Sequence, residues 1–492
     1  MKSSLAVLAS AVAVSGVSGP AAAWADSPVG SSGNADKPRP GALSAGDRLF
    51  PYLGNGGYDV DSYDVRFDHR TGGTMMDSSV QIKATAQHAL SRFSLDSAGQ
   101  EIKSVSVQNA RADFRVSGEK LIITPGKALK KGQSFRVDIA YRADRSANPP
   151  SPAHPGDVPN FGRWVNHREG FALLGQPDRA HLFFPMNDHP SDKARVTFRI
   201  TVPKNLQAAA NGTLQSRKTS GSRTTYTYST RDPIPTHVVQ AAVGRFKEFK
   251  QTGPHGLPLR SFVAPEDADD AKNLVDLISE EIEWFENRIG SRYPFEAYGV
   301  LGVKGPYAAA LEGATLSTYN SLSSRKDAPA AHELAHQYFG NAVSLKSWDD
   351  MWISEGHASF YSLLHETEKG YNENTFEQEM RRAYDFDREE RGEVGPPGRL
   401  KSPLYVLGST NAAGAAMLYG LRQQVGEDTF RKIERKFFDT YRHKAAATQD
   451  YIDVVNEVTG RDFTGYIKSW IYGEKTPPMP GLIHCPCGSG NQ

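Results

Sequence analysis

The sequence predicts an α+β chain of several domains, in which a β-rich half precedes a mainly helical half. Apolar residues recur at every second position up to about residue 246, and at three- and four-residue steps from residue 269 onward. The chain has 492 residues, of which 38% are hydrophobic, so it can bury the cores of two or three domains. Lysine plus arginine (57) nearly equals aspartate plus glutamate (56), and this balance argues against a nucleic-acid partner.

The first 25 residues predict a signal peptide. Lys2 gives a positive start, and residues 5–17 form a short, mostly apolar run. Ala23 and Ala25 are small residues that suit a cleavage site. The apolar run is too short to span a bilayer as a permanent anchor. We therefore expect an exported, secreted protein that keeps no membrane anchor after signal cleavage.

Both ends of the remaining chain predict flexible segments. Residues 26–45 are rich in Ser, Gly, Pro and Asp and predict a linker, and residues 481–492 predict a tail. The tail holds the two cysteines of the chain, Cys485 and Cys487, and a disulfide closing Cys-Pro-Cys would be strained. We expect the rest of the chain to fold without disulfides, and we assign no function to this pair.

Residues 46–247 predict an antiparallel β domain. Val80, Ile82 and Ala84 alternate with polar neighbours, which is the period of a half-buried strand. The same alternation recurs at Phe135, Val137, Ile139 and Tyr141, and again at Val196, Phe198, Ile200 and Val202. Glycine and proline separate these runs, as is typical of the turns between strands.

Residues 248–480 predict a mainly helical domain with a small sheet at its start. Leu274, Ile278 and Ile282 follow the helical period from residue 269 onward, and Gly290 suits the end of that helix. A short strand is expected around residues 298–303. Further helices are predicted over residues 328–338, 358–368, 375–391, 412–425 and 448–458.

The most specific chemical signal is the pair His332 and His336, four residues apart in a predicted helix. Side chains at this spacing share one face, so both imidazoles can bind one ion. Zinc accepts imidazole nitrogen and carboxylate oxygen, and catalytic zinc sites use three protein ligands and leave one position open. Glu355 follows after eighteen intervening residues and is the predicted third ligand. We expect one Zn²⁺ per chain.

Glu333 lies between the two histidines and is predicted to act as the general base. Two histidines at this spacing also occur as solvated side chains on an ordinary helix. The added Glu355, in a second segment of helical character, favours the metal site. Zinc is preferred over cobalt and manganese because of ligand type and availability. The motif therefore indicates a zinc hydrolase of peptide-like bonds.

Residues 332–361 resemble the gluzincin aminopeptidases related to aminopeptidase N and leukotriene hydrolase. The matching motifs are Gln337-Tyr338-Phe339-Gly340-Asn341, Trp348-Asp349-Asp350-Met351-Trp352 and Glu355-Gly356. Residues 184–194 and 460–478 are also similar to segments of the family, so the resemblance covers about residues 46–480. It implies a saddle-shaped β domain packed on a thermolysin-like catalytic domain, in a short, two-domain member of the family.

The resemblance also implies how a free amino terminus would be bound. Glu312 matches the amine-binding glutamate of the family in a degenerate segment, and Gln176 and Asp178 match residues that reach the amine from the β domain. Carboxylates form strong, charge-assisted hydrogen bonds with an ammonium. An ordinary edge-strand glutamate and a solvated loop are the alternatives. Asp349 or Asp350 either orients a ligand imidazole or caps the next helix.

The chain departs from the family pattern at the residue that stabilises the oxyanion. Relatives place a tyrosine there, whereas this chain has Asn411. Loss of one oxyanion donor typically lowers turnover by about a hundred- to a thousand-fold. Tyr405, six residues earlier, is the predicted replacement if the preceding loop folds inward. Tyr419, later on the same helix, is expected in the core.

These predictions combine into an exported zinc metallopeptidase, most simply an aminopeptidase that acts on peptides with a free N-terminus. A second hypothesis is a zinc-containing peptide-binding protein that has lost most catalysis, for which Asn411 is the main support. A third is a zinc endopeptidase or an epoxide-opening hydrolase. Cleavage of substrates whose amine is acetylated would separate the third hypothesis from an aminopeptidase.

Overall fold

The computed structural model describes residues 37–153, 162–305, 310–320, 330–406 and 408–480. The predicted signal peptide (1–25), the first part of the predicted linker, and the predicted tail (481–492) with Cys485 and Cys487 lie outside these residues. Within them, one continuous cluster of buried apolar side chains runs from Leu49 in the β-rich half to Met479 in the helical half.

The β-rich half consists of strands with short turns between them. They are β1 (Arg39–Pro40), β2 (Tyr58–Asp68), β3 (Met75–Ala86), β4 (Leu90–Asp96), β5 (Gln100–Val107), β6 (Ala110–Arg111), β7 (Asp113–Ser117), β8 (Lys120–Thr124), β9 (Ser134–Asp144), β10 (Arg163–His167), β11 (Gly170–Leu174), β12 (Arg195–Pro203), β13 (Gln207–Ala210), β14 (Thr213–Ser220), β15 (Arg223–Ser229) and β16 (Ala241–Gly244). The largest sheet has the order β14-β15-β12-β2-β3-β9-β5-β6. Two smaller sheets have the orders β1-β4-β8-β7 and β10-β11-β16-β13. Nearly every second side chain of β3 and β9 is buried, as the period of two predicted.

Two strand pairs in this half are parallel, so the prediction of an antiparallel domain holds for the other pairs and is wrong for these two. In the pair β2 and β12, Val65 lies beside Phe198 and Phe67 beside Ile200. The short strand β1 is parallel to β4. A period of two reports which face of a strand is buried, and it carries no information about the direction of the neighbouring strand.

The described end of the predicted linker is part of the fold. β1 pairs with β4, and the Gly41 N–H donates to the Arg92 carbonyl oxygen at 2.8 Å. A Cβ at Gly41 would lie 2.3 Å from the carbonyl oxygen of Gly56. The prediction of a flexible segment is therefore wrong here, because the small residues that suit a linker also permit a close approach of two backbones.

The helical half begins with a mixed sheet. Its elements are β17 (Lys247–Thr252), β18 (Pro258–Val263), α1 (Ala268–Ile289), β19 (Val300–Gly302), β20 (Ala310–Leu311), β21 (Ser317–Tyr319), α2 (Ala331–Tyr338), β22 (Val343–Leu345), α3 (Trp352–Glu368), α4 (Phe376–Val394), α5 (Ser409–Val425), α6 (Glu427–Tyr441), β23 (Lys444–Ala446), α7 (Thr448–Thr459) and α8 (Thr464–Tyr472). The sheet has the order β17-β18-β19-β21-β20, so β20 forms one edge. β22 pairs with β23 in parallel.

The predicted helices are present with shifted ends, and two others were missed. α3 begins at Trp352, six residues before the predicted start, and so includes Glu355 in its first turn. α6 and α8 were not predicted, although Phe430, Ile433 and Phe437 of α6 are buried on one face. Charged residues surround this apolar stripe and weaken its signal. No helix in the described part of the chain is both long and apolar enough to cross a membrane.

Candidate active site

The predicted metal ligands come together where α2 meets α3. His332 Nε2 lies 3.2 Å from His336 Nε2 and 3.6 Å from Glu355 Oε2. The same Glu355 oxygen lies 3.7 Å from His336 Nε2. Two imidazoles one turn apart on α2 thus face a carboxylate in the first turn of α3.

This trio fits a zinc ion by donor type and by spacing. Zinc bonds to imidazole nitrogen and carboxylate oxygen measure about 2.0–2.2 Å, so tetrahedral geometry separates two ligand atoms by roughly 3.3–3.6 Å. The observed separations span 3.2–3.7 Å. Burial lowers the pKa of His336 well below its usual value, and the charge of His332 adds to this effect. A neutral imidazole is the form that binds a metal.

Contacts at both ends of α2 hold the two histidines in place. At the start of the helix, Glu281 of α1 accepts a hydrogen bond from the Ala330 N–H at 2.8 Å, which satisfies one of the amide groups left unpaired there. At its end, Gly340 has a φ of 120°. A Cβ at Gly340 would lie 2.3 Å from Ser354 Oγ, so the glycine makes room for that hydroxyl.

Ser354 orients one of the two predicted metal-binding imidazoles. His336 Nδ1 lies 2.9 Å from Ser354 Oγ, and donation from Nδ1–H leaves Nε2 as the metal ligand. Both residues are buried, so solvent does not compete for this hydrogen bond. Ser354 was not predicted. Its one signal in the sequence is its place directly before Glu355, on the helix that faces α2.

Asp349 and Asp350 do not orient an imidazole through any described contact. Asp349 Oδ2 accepts a hydrogen bond from Arg48 Nε at 2.9 Å. Asp350 forms a capping box with Ser347 at the turn that leads into α3, and it also accepts from the Thr448 N–H at 2.8 Å. Asp350 thus caps the short turn Trp348–Asp350, whereas α3 itself, with Met351 at its N-cap, has no side-chain cap, so the hypothesis that the aspartates cap α3 is wrong. The imidazole hypothesis stays a prediction.

Two further carboxylates lie beside the metal-ligand trio. Ligand atoms of Glu312, Glu333 and His336 all lie within 4.8 Å of one another, and both glutamates are buried. Burial raises the pKa of Glu312 to about 8, and the charges of Glu355 and Glu333 contribute to the increase. Three neighbouring carboxylates repel one another unless cations neutralise them. The site is therefore suited to a metal ion and a second positive group.

Gln176 contacts Glu312 from the β-rich half. Gln176 lies two residues beyond the end of β11, and its Nε2 donates to Glu312 Oε1 at 2.7 Å. Both side chains are buried. This hydrogen bond fixes the orientation of the carboxylate and joins the two halves of the chain at the site. A role for either residue in binding an amine stays a prediction.

Two amide side chains hold the main chain of Glu312. Asn341 Nδ2 donates to the Glu312 carbonyl oxygen at 2.7 Å, and Gln337 Nε2 donates to the same oxygen at 3.2 Å. The Thr315 N–H donates to Gln337 Oε1 at 2.9 Å. Asn341 and Gln337 belong to the motif after His336, but no role was predicted for them, since their partners are distant in sequence.

Asp178 is buried, and its described contacts lie within the β-rich half. The Tyr52 hydroxyl donates to Asp178 Oδ2 at 2.5 Å, and the Ser151 hydroxyl donates to the same oxygen. Burial raises the pKa of Asp178, and the Arg179 charge opposes this effect. The other oxygen, Oδ1, has no hydrogen-bond partner among the described residues. Among the described residues, Gln176 contacts Glu312 and Asp178 does not. A role for Asp178 in binding an amine stays a prediction.

The residues expected near the oxyanion lie around the start of α5. Asn411 is partly buried in the first turn of α5, and its Oδ1 has no hydrogen-bond partner among the described residues. Tyr405 ends the short turn Pro403–Tyr405 ahead of α5 and packs against the hydrophobic core. Tyr419 is 4% exposed, with its ring edge-on to Phe376 at 5.7 Å, so its predicted core position is confirmed.

Two family profiles match this chain, one in each half. The Peptidase M1 N-terminal domain matches residues 60–238, and the Peptidase family M1 domain matches residues 274–470. The second match contains His332, His336 and Glu355. The first match contains Gln176.

Similar proteins are aminopeptidases and zinc metallopeptidases. A probable aminopeptidase 2 from Sulfurisphaera tokodaii is 22% identical over 78% of this chain and 50% of its own length. A glutamyl aminopeptidase from Bos taurus is 32% identical over 51% of this chain and 29% of its own length. This chain thus spans about half or less of the length of these curated relatives.

Solved structures match along almost the whole described chain. An M1 zinc metallopeptidase mutant from Deinococcus radiodurans, bound to a Tyr-Ser-Ala substrate, is 27% identical with a TM-score of 0.77. A two-domain M1 zinc metallopeptidase mutant bound to L-tryptophan is also 27% identical, with a TM-score of 0.79. Each match covers 89% of this chain and 100% of the other.

Proposed function

Because the chain belongs to the M1 peptidase family, we propose that it is an exported zinc aminopeptidase that removes N-terminal residues from peptides. The observation that carries the proposal is the position of Glu312, whose carboxylate lies within 4.8 Å of the ligand atoms of Glu333 and His336. An ammonium stabilises a buried carboxylate, whereas a neutral peptide nitrogen does not. The site therefore favours substrates with a free amino terminus.

The hydrolytic centre consists of the metal-ligand trio and Glu333. His332, His336 and Glu355 would hold one Zn²⁺ per chain, by the donor set and spacing described above. When bound, zinc acts as a Lewis acid toward a carbonyl oxygen and toward water. Glu333 accepts a proton from the attacking water and returns a proton to the leaving nitrogen.

Glu312 and Gln176 form the first subsite in this proposal, and Asp178, two residues after Gln176, is proposed as a second carboxylate for the amine. The ammonium of the substrate neutralises Glu312, while Gln176 keeps the carboxylate turned toward it. The ligands named for the similar solved structures are a Tyr-Ser-Ala substrate, L-tryptophan and L-arginine. All three carry a free α-amine, which supports the same recognition here.

Hydrolysis of a panel of aminoacyl amides tests the proposal, with Glu333→Gln as the blank. We expect free-amine substrates to be cleaved above the blank and their N-acetyl counterparts to resist. Glu312→Gln should lower kcat/KM on free-amine substrates by about ten- to a hundred-fold, mainly through KM, because it removes a charge-assisted hydrogen bond. Cleavage that survives acetylation would instead indicate an endopeptidase and leave Glu312 without this role.

Tyr405 is the proposed donor to the oxyanion, in place of the missing tyrosine. It lies in the turn that leads into α5, whereas the Asn411 side chain is shorter than a phenol. We expect Tyr405→Phe to lower kcat by about a hundred- to a thousand-fold. Tyr419→Phe, which changes a core tyrosine of α5, is the matched control and should retain kcat. Full turnover in Tyr405→Phe would exclude the role.

Peptide binding with little catalysis is the second candidate function. Asn411 favours it, because one oxyanion donor of the family is replaced by a shorter side chain. In that case every aminoacyl amide would be turned over no faster than by Glu333→Gln, although the substrates still bind. Asn411→Tyr should then raise turnover above the blank.

Export through residues 1–25 supports a role outside the cytoplasm, on peptides with free amino termini. The positive start, the short apolar run and the small residues before Asp26 carry this part of the proposal. N-terminal sequencing of the protein from culture medium should give a mature start near Asp26. Retention of the full-length chain inside the cells would contradict export and leave the catalytic proposal untouched.

A further inference from the structure

We propose that Lys193 is a positioning residue for the amine subsite, and that it acts on Glu312 through Asn341. The inference deepens the proposed function and rests on it, since it assumes that Glu312 receives the amine. Lys193 belongs to the β-rich half, two residues before β12, whereas Asn341 and Glu312 belong to the helical half. Lys193 has no part in the reaction itself.

The Lys193 ammonium binds the main chain of the loop that follows α2. Its Nζ donates to the Asn341 carbonyl oxygen at 2.8 Å and to the Ala342 carbonyl oxygen at 2.6 Å. The Asn341 N–H in turn donates to the His336 carbonyl oxygen at 2.9 Å. The ammonium therefore lies near the carboxyl end of the metal-binding helix, where a positive charge is favourable.

Asn341 transmits this contact to Glu312. Its side chain is fully buried, and Nδ2 donates to the Glu312 carbonyl oxygen at 2.7 Å. Lys193 fixes the backbone of Asn341, and the Asn341 amide fixes the backbone of Glu312. On its other side, the Glu312 carboxylate accepts from Gln176 at 2.7 Å. Of the β-rich half, Gln176 thus contacts the Glu312 carboxylate directly, whereas Lys193 is linked to the Glu312 carbonyl only through Asn341.

The partners of Lys193 show that its side chain is bound to the main chain and is not part of a surface ion pair. No carboxylate of the described residues lies within 4.0 Å of its ammonium, and its hydrogen bonds go to main-chain carbonyls. Burial lowers the pKa of Lys193 to about 7, against the opposing charge of Asp232. Both protonation states keep N–H donors for the two carbonyls. The contact is therefore directional, and it holds the loop after α2 in one position.

Loss of this contact should reduce recognition of the amine. We compare the inhibition constants of leucine hydroxamic acid and 4-methylpentanehydroxamic acid, which differ by the α-amine, on the zinc-loaded protein at one pH. Their ratio measures the contribution of the amine to binding. Lys193→Met keeps an unbranched apolar side chain, one atom shorter than lysine, and removes the donors, so we expect the ratio to fall about tenfold. Lys193→Arg keeps donors and should recover most of it, and Lys204→Met, an exposed lysine of the same half, should leave it unchanged.

A purely structural role predicts a different result. If Lys193 only stabilises the fold or the metal site, Lys193→Met weakens both inhibitors equally, and an unchanged ratio would overturn the proposal. In a Glu312→Gln background, Lys193→Met should have no further effect on the ratio, and a further tenfold fall would also overturn it. If Lys193→Met does not fold, Asn341→Ala replaces it, with the same fall expected and the same unchanged ratio contradicting the inference.

The wild-type ratio separates this proposal from the proposed function. A wild-type ratio near one would show that the protein does not recognise the amine, and it would refute the aminopeptidase proposal and this inference together. A large wild-type ratio that persists in both Lys193→Met and Asn341→Ala refutes this inference alone.

Discussion

Gly356 of α3 lies against Gly414 of α5, and the two helices meet backbone to backbone there. A Cβ built on Gly356 would lie 2.7 Å from the Gly414 Cα, and one built on Gly414 would lie 2.6 Å from the Gly356 Cα. Gly356 directly follows Glu355, the predicted third metal ligand. The contact with α5 therefore fixes the position of α3, the helix that carries Glu355.

Gly414→Ala should push α3 away from α5 and disturb the metal site. We expect the free energy of unfolding to fall by about 1–3 kcal/mol, because the added methyl overlaps backbone atoms that cannot rotate away. Zinc affinity should fall in parallel, since Glu355 moves with α3. Gly465→Ala in α8, where a Cβ meets open space, is the matched control. Equal unfolding free energies and zinc affinities for the two variants would contradict this account.

Ser354→Ala should weaken zinc binding without unfolding the protein. The hydroxyl lies 2.9 Å from His336 Nδ1, and loss of such a partner typically lowers metal affinity by about ten- to a hundred-fold. Competition with a chelator measures the affinity. Ser362→Ala, which removes another hydroxyl from α3 whose partner is the Ser359 carbonyl, should bind zinc like the wild type. Identical affinities for both variants would remove Ser354 from the metal site.

Glu333→Gln should separate metal binding from catalysis. The amide keeps the size of the side chain but cannot accept the proton of the attacking water, so we expect kcat to fall by about a hundred- to ten-thousand-fold. Glu333 is not among the three predicted ligands, so we expect the zinc content measured by elemental analysis to match the wild type. A variant that loses its zinc would instead place Glu333 among the ligands.

His181 should make the stability of the β-rich half depend on pH. Burial disfavours its charged form, but hydrogen bonds to Asp188 at 2.7 Å and to Glu119 at 3.3 Å outweigh burial and raise its pKa to about 9. The unfolded chain has a histidine pKa of about 6.5. Between these values the folded state binds a proton that the unfolded state has lost. The contribution of His181 to the free energy of unfolding is therefore complete below pH 6.5 and is lost as pH rises through 9.

Urea unfolding at pH 6 and pH 9.5 measures this effect. We expect the loss of unfolding free energy between the two pH values to be about 3 kcal/mol smaller in His181→Gln than in the wild type. His69→Gln is the control, because burial lowers the pKa of His69 to about 4, so its effect on stability falls mainly between pH 4 and 6.5 and has the opposite sign to that of His181. A wild-type slope in His181→Gln would show that His181 is neutral in the folded protein.

Local patterns account for most of what could be predicted. The spacing of His332 and His336 is one helical turn, and that single fact places two imidazoles on one side of α2. The missed helix α6 and the shifted start of α3 show the limit of such patterns, since charged surroundings and short apolar stretches blur the period. The resemblance placed Gln176 and Glu312 at one amine site, but their direct contact was not predicted, because 136 residues separate them.

The sequence by itself determined the order of a β-rich and a helical half, the strands whose faces are buried, and the chemistry of the metal-ligand trio. These features depend on residues within a few turns of one another or on a short motif. The tertiary structure alone decided that β2 and β12 run parallel, that Ser354 supports His336, and that Lys193 reaches Asn341. Each of these contacts joins segments that are far apart in sequence. Neither the hydrophobic period nor the residue spacing shows which distant segments pack together.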